Sequence, residues 1–226
     1  SQYKKISREV RELYLADYAT EWSNLLSSMK VKRFNSMTEL AKGLTTSVDN
    51  AYSPILAVLD TVKANTQLTT ELPDAVLDKV EQRRGGTQLV SLIRDRKDLT
   101  AVDKRFYDIH HLMEQPERGV APVLTTLQQV DALRTFIQEI GLAPDVEQRA
   151  FDVVKTRYQS NTGNAITTLK AYARTTPEPL QGWLVSLSDE AWRILSQQAY
   201  SYVSKEWRSQ VYQPYSQMIA GRYPLN

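Results

Sequence analysis

Apolar residues recur three and four positions apart along most of the chain, and the strict alternation of a half-buried strand is almost missing. This periodicity predicts an all-α fold of multi-helix bundles with long amphipathic helices. The first helix is expected from about Ser7 to Met29. The last is expected to begin at the cap-like residues Ser188-Asp189-Glu190 and to continue for about 30 residues. The predicted apolar stripes are Val10, Tyr14, Tyr18, Trp22, Leu25 and Met29 on the first helix, and Trp192, Leu195, Ala199, Val203, Trp207 and Val211 on the last.

Capping residues predict where further helices begin. Ser36 and Glu39 have the spacing of a capping box before an apolar run. Ser53-Pro54 places proline at the first helical position directly after an N-cap residue. A further helix is expected from Thr100 to Glu114, because its apolar residues follow the helical period.

The clearest break in the chain is Gln115-Pro116-Glu117-Arg118-Gly119, which combines two residues that end helices. It predicts an N-terminal helical subdomain at residues 1–115 and a C-terminal helical subdomain at residues 120–226. Residues 81–98 carry many charges of both signs, which is typical of a solvated connector. Its basic clusters could touch a polyanion, but the interspersed acidic residues favour an ordinary solvated surface.

Composition excludes several classes of function. The chain has 28 Lys and Arg against 26 Asp and Glu, and this small excess argues against a protein that coats nucleic acid. Cysteine is absent, which removes disulfides, thiolate zinc sites and cysteine nucleophiles. Only 8 of 226 residues are glycine, and the sequence contains neither of the common glycine-rich nucleotide-binding motifs. No apolar run is long enough to cross a membrane.

Two sets of polar residues are candidates for chemistry. Asp17 and Glu21 lie four positions apart, on one face of the first helix and beside its apolar stripe. Burial there could make one of them the general acid of a hydrolase, but pairing with arginines of a neighbouring helix is the far commoner role. His110 and His111 are adjacent, so their side chains diverge and cannot share a metal ion. They are expected to be a partly buried pair on one helix.

A set of short motifs spans the chain from residue 13 to residue 224. They are Leu13-Tyr14-Leu15, Asp17-Tyr18, Trp22, Leu44, Ser53-Pro54, Leu56, Thr66, Leu68, Pro179, Trp183-Leu184, Ala191-Trp192, Val203, Trp207, Val211, Tyr215 and Gly221-Arg222-Tyr223-Pro224. In this order and spacing they resemble the IcmF/TssM family, the inner-membrane scaffold proteins of type VI secretion systems. In that family a tryptophan-rich helix runs into a Gly-Arg-Tyr-Pro-Phe motif, and here Leu225 stands in place of the phenylalanine.

The resemblance implies a structural role without catalysis, cofactor, metal, nucleic acid or small-molecule substrate. It implies a periplasmic scaffold segment of a Gram-negative inner-membrane protein, which links the membrane anchor to an outer-membrane lipoprotein. The implied partners are that lipoprotein (TssJ), the inner-membrane protein TssL and other copies of the same chain. Contact with TssJ is implied mainly for a β-rich domain that would follow this segment. The alternative is a generic helical adaptor or protein-interaction module.

Aromatic residues are concentrated between residue 183 and the end of the chain, and they are too many for one face of one helix. Either the first and last helices wrap around each other, or part of this surface docks a further neighbour. Tyr18, Trp22, Trp192 and Trp207 are expected to anchor the core. The resemblance adds a second role, which is support for the junction with the β-rich domain. The complete set of core and junction candidates is Tyr18, Trp22, Trp183, Trp192, Trp207, Arg222, Tyr223 and Pro224.

Overall fold

The computed structural model describes residues 2–69, 100–160 and 162–218. All regular elements in these ranges are helices, which confirms the predicted all-α class. The predictions for the charged segment 81–98 and for Arg222, Tyr223 and Pro224 lie outside the described residues. The helices are α1 (Gln2–Ser28), α2 (Met37–Val48), α3 (Pro54–Thr66), α4 (Ala101–Leu112), α5 (Pro122–Gly141), α6 (Val146–Ser160), α7 (Ala165–Ala173), α8 (Leu180–Trp207), a π-helix (Arg208–Tyr212) and α9 (Gln213–Met218).

The helices form two compact units. The first unit contains α1, α3 and α4. The second contains α2, most of α5 and the helices from α6 to α9. Residues 115–119 form no helix, and Gly119 has a φ of 104°, a value that glycine adopts without strain. The proposed division into 1–115 and 120–226 stays a prediction.

The predicted helix starts at α2, α3 and α4 are correct. The Ser36 side chain accepts a hydrogen bond from the N–H of Glu39, at 3.1 Å. The Glu39 carboxylate reaches back one residue further than expected and accepts from the N–H of Asn35, at 2.9 Å. At α4, Thr100 and Asp103 form a complete capping box. These starts were predictable because a cap depends on side chains only a few residues from the backbone groups that they satisfy.

The first unit forms where α1 and α3 both pack against α4. Ala19 and Leu26 are the buried apolar residues of α1, and the Tyr18 hydroxyl donates to the carbonyl of Asn65 at the end of α3, at 2.9 Å. The predicted stripe on α1 is therefore only partly buried, and only in the second half of the helix, where Trp22 is half-buried but Leu25 is 46% accessible. Its first half is exposed, with Val10 60% and Tyr14 65% accessible. The buried apolar residues contributed by α3 and α4 are Leu59, Val62, Val102, Phe106, Ile109 and Leu112.

The second unit is organised around α8, which packs against α6 and α7. The predicted start of this helix was wrong, because α8 begins at Leu180 and not at Ser188. Ser188 is fully buried inside the helix, and its hydroxyl donates to the carbonyl of Leu184, at 2.8 Å. The Glu178 carboxylate accepts instead from the N–H of Gly182, in the true first turn, at 3.2 Å.

The segment before α2 is fastened to α8 through the backbone of Phe34. The N–H of Phe34 donates to Glu190, at 3.2 Å, and Arg193 donates to the Phe34 carbonyl and, at 2.8 Å, to Glu190. The Arg193 hydrogen bond holds the pKa of the Glu190 carboxyl below its ordinary value, so this carboxyl stays ionised at neutral pH. The Phe34 ring is buried and lies against Gly43 of α2.

We expect Gly43→Ala to destabilise the second unit. A Cβ at this position would lie 2.5 Å from the Phe34 ring carbon Cε1, and the ring is held by its own backbone bonds to α8. Overpacking of this kind costs about 1–3 kcal/mol, which exceeds the gain of about 1 kcal/mol from replacing a helical glycine by alanine. Urea unfolding measures the difference.

Gly141→Ala is the matched control, because a Cβ there would meet only the Met37 side chain, at an ordinary 3.7 Å. We expect this variant to be as stable as the parent chain or slightly more stable. Equal effects of the two substitutions would contradict the close contact between Phe34 and Gly43.

Candidate interaction surface

Helix α6 covers α8 in the antiparallel direction. Near the start of α6, Glu147 forms an ion pair with Lys205, at 2.6 Å. Near its end, the Arg157 guanidinium lies over the Trp192 ring, 4.1 Å from the ring centroid. Since α6 begins only at Val146, it covers α8 as far as Lys205 and no further.

Beyond this point the chain continues as helix without cover. Every residue from Trp207 to Met218 except Pro214 is exposed. Trp207 is 62% accessible, so its predicted role as a core anchor was wrong. Val203 and Val211, also placed on the buried stripe, are exposed as well. We give the name aromatic face to the exposed apolar residues that start in the last two turns of α8 and continue to α9, which are Tyr200, Val203, Trp207, Val211, Tyr215 and Met218.

The π-helix keeps the aromatic face on one side. Steps of four residues lead from Val203 to Trp207, Val211 and Tyr215. In an α-helix each such step overshoots a full turn by about 40°, so three steps would turn the face well away from its starting direction. A π-helix has hydrogen bonds from residue i to residue i+5 and rotates less per residue. The π-helix at Arg208–Tyr212 therefore offsets this drift.

The remaining candidate residues take other positions. Trp192 is half-buried beneath Arg157, and Trp183 is half-buried in the first turn of α8. In the first unit, Tyr18 and Trp22 are both half-buried and meet edge to face, with ring centroids 6.4 Å apart. Tyr202, adjacent to the aromatic face in sequence, points instead to α6, where its ring centroid lies 5.2 Å from that of Phe151.

The candidate chemistry finds little support in the geometry. Asp17 and Glu21 are both exposed on α1, so neither has the burial that the role of a general acid would need. His110 is buried, with Nε2 2.7 Å from the Thr66 hydroxyl, whereas His111 is exposed and lies 3.2 Å from Glu114. The two histidines thus have different partners, as their adjacency predicted. In the described ranges no three histidine or acidic side chains are grouped so that they could hold a metal ion.

The excess of aromatic residues for one helix face was the sequence signal of this surface, although the sequence also placed Trp207 in the core. In the structure α8 has 28 residues and α6 has 15, so α6 cannot cover the whole length of α8. Among the residues that the structure describes, no helix is both long and apolar enough to cross a bilayer. The aromatic face is therefore the feature of the second unit best suited to contact another molecule, since large exposed apolar patches mark interaction sites.

Three comparisons relate the chain to known proteins. Residues 1–67 match the family model "IcmF-related: Intracellular multiplication and human macrophage-killing". The curated relative "Type VI secretion system component TssM1" of Pseudomonas aeruginosa is 23% identical over 237 residues, which cover 97% of this chain and 21% of the relative. A chain of the solved "Type VI secretion system membrane core complex" matches with a TM-score of 0.63 and 17% identity, over 98% of this chain and 42% of that chain.

The fold and its exposed face define an all-helical segment with an aromatic surface suited to contact with another molecule. Taken together, the comparisons support the resemblance of the sequence to the IcmF/TssM family. The chain spans about a fifth of the length of the curated relative that it matches.

The two tryptophans of α8 should differ in their contribution to stability. We expect Trp192→Ala to destabilise the second unit by about 2–3 kcal/mol, because it removes half-buried ring area and the contact with Arg157. Trp207→Ala is expected to change the free energy of unfolding by less than about 0.5 kcal/mol, because the ring is mainly in solvent. Equilibrium unfolding of both variants measures the contrast. An equal loss in both would mean that the end of α8 is covered in solution.

Proposed function

We propose that this chain is a structural segment of a type VI secretion membrane complex, located in the periplasm between an inner-membrane anchor and an outer-membrane lipoprotein. The observation that carries the proposal is the extent of the similarity. The match to TssM1 covers 97% of the chain, and the fold match to the membrane core complex covers 98%. Similarity over both units supports a shared architecture more strongly than one shared motif does.

The proposed mechanism is mechanical and requires no chemistry from the chain. Long helices stay straight under load because each turn is tied to the next by backbone hydrogen bonds. Helix α8 contributes a continuous rod of 28 residues, and ion pairs and ring contacts fix it to α6 and α7. In this role the chain transmits force and position between its neighbours. TssJ, TssL and other copies of the chain are the proposed neighbours.

We further propose that the aromatic face packs against the β-rich domain that the family resemblance places after this segment. Most of the relatives' length lies outside the region they share with this chain, since the match covers 21% of TssM1 and 42% of the solved chain. Those relatives therefore have ample polypeptide with which to cover such a face.

The size and form of the face support a protein as its occupant. Aromatic side chains bury about 150–250 Å² each, so Trp207, Tyr200 and Tyr215 with their aliphatic neighbours offer several hundred Å² of apolar surface. A patch of that size is at the upper end for a monomer and is typical of a contact with protein. The π-helix supports the same conclusion, because π-bulges are frequent at functional sites.

The test uses the full-length secretion protein that carries this segment. We expect the double substitution Trp207→Ala with Tyr215→Ala to reduce co-purification of the lipoprotein and of the assembled membrane complex. The melting temperature of the 226-residue chain with the same two changes should stay close to that of the parent chain, because both rings are exposed. Tyr158→Ala is the matched control, since Tyr158 is an exposed aromatic residue of α6 outside the aromatic face.

Hydrogen exchange identifies the occupant. We expect residues 200–218 to exchange more slowly in the full-length protein than in the 226-residue chain, even before any partner is added. Protection that arises only with the lipoprotein or with a second copy would replace the proposed occupant with that partner. Unchanged exchange in every state, together with normal complex assembly by the double variant, would overturn the role of the face.

A further inference from the structure

Two buried side chains of α4 hold the end of α3 in the first unit. His110 is 5% accessible and Thr66, the last residue of α3, is fully buried, with His110 Nε2 2.7 Å from the Thr66 hydroxyl oxygen. Two turns earlier on α4, Asp103 accepts from the N–H groups of Leu68, at 2.8 Å, and Thr69, at 3.1 Å. One histidine and one carboxylate thus connect α4 to the chain as it leaves α3.

The hydrogen bonds around Thr66 assign the proton of the imidazole. The Thr66 hydroxyl lies 2.7 Å from the carbonyl oxygen of Val62, which can only accept, so the hydroxyl donates its single proton there. Its oxygen then accepts from His110 Nε2–H. A neutral imidazole with its proton on Nε2 completes this network without a buried charge.

The surroundings of His110 disfavour protonation of the second nitrogen of the imidazole ring. Burial lowers the pKa of His110 below its ordinary value, and Lys63 of α3 lowers it further, against the opposing effects of Asp103 and Glu114 on α4. The acidic residues in the packed half of α1 are Asp17 and Glu21, and both are exposed. Desolvation is thus the dominant cause, because a charged imidazolium loses its hydration when it is enclosed by protein.

We propose that His110 makes the contact between α3 and α4 acid-sensitive, so that the neutral imidazole holds the first unit together and its protonation loosens it. The contribution is fully present above the ordinary histidine pKa of 6.5. It declines as the pH falls below that value, because the unfolded chain takes up a proton that the folded chain refuses, and it levels off below the folded-state pKa. This inference stands on the first unit alone and does not depend on the proposed function.

Asp103 adds a second step in stronger acid. Burial raises the pKa of this carboxyl, but hydrogen bonds from Thr100 and Thr69 outweigh burial and leave the pKa below its ordinary value of 3.8. Its contribution is therefore present above that value and is lost as the pH falls through the folded-state pKa. Because Asp103 stays ionised above its ordinary pKa of 3.8, the decline that His110 causes below pH 6.5 can be followed before Asp103 begins to titrate.

The chain is well suited to the test because it has only two histidines, which are neighbours on α4. We expect the free energy of unfolding of the wild-type chain to fall between about pH 8 and about pH 5. The His110→Gln variant should show a smaller fall, since glutamine can donate to Thr66 but does not titrate. His111→Gln is the matched control and should keep the wild-type dependence. Urea unfolding at each pH measures the free energy of unfolding. Hydrogen exchange follows the α3–α4 and α6–α8 peptides separately.

Hydrogen exchange of individual peptides separates the effect of His110 from a general effect of acid. We expect the peptides of α3 and α4 to gain hydrogen exchange on acidification relative to His110→Gln at the same pH. Peptides of α6 and α8 should respond equally in both chains, because the second unit contains no histidine. The proposal is overturned if wild type and His110→Gln show the same dependence, or if His111→Gln abolishes it.

If His110→Gln does not fold, the wild-type chain still decides the question. Its two histidine ring signals can be followed by nuclear magnetic resonance during a pH titration. We expect the His110 signal to titrate below pH 6.5, and amide signals at the end of α3 to shift with it. Titration of His110 at its ordinary pKa, without a response in α3, would contradict the proposal.

Discussion

The burial of one side of α8 is the constraint on which the second unit depends. Leu184, Ile194 and Leu195 are almost completely removed from solvent, and at roughly 1.5–3 kcal/mol for each large apolar side chain such burial outweighs the polar contacts around it. The polar contacts instead determine the direction in which neighbouring segments pack on α8. The Glu147–Lys205 pair and the stack of Arg157 on Trp192 fix α6 as antiparallel to α8, while Glu190 and Arg193 fix the segment before α2.

Local chemistry explains which parts of the fold could be predicted. The starts of α2 and α4 follow from caps in which donor and acceptor lie within four residues, and α3 begins with proline at its first position, so these starts depend mainly on nearby residues. Ser188-Asp189-Glu190 has the same chemical character, yet Ser188 donates backward to Leu184 and Glu190 binds Phe34. A serine hydroxyl can satisfy a helix end or the preceding turn equally well, and only the packing around it decides which.

The exposure of a helix face was less predictable than the helix itself, because exposure depends on which element packs against that face. The stripe from Trp192 to Val211 has one helical period throughout, but its first part faces α6 and its last part faces solvent. On α1 the same situation is reversed, with the first half exposed and the second half packed on α4. The two histidines illustrate the same limit. Their divergence was predictable from adjacency, but the burial of His110 depends on Thr66, 44 positions away in sequence.

In the part of the chain that the structure describes, the helix that continues after Lys205 is held at one end only. The helix is held by α7 and α6 up to Lys205, and the residues from Trp207 to Met218 extend for about 18 Å beyond the reach of α6. A rod clamped in this way converts a small tilt at its base into a larger sideways displacement at its tip. A molecule that binds near Met218 therefore strains the packing of α6 on α8. The ion pair of Glu147 with Lys205 is the contact nearest to that end, and it opposes the strain.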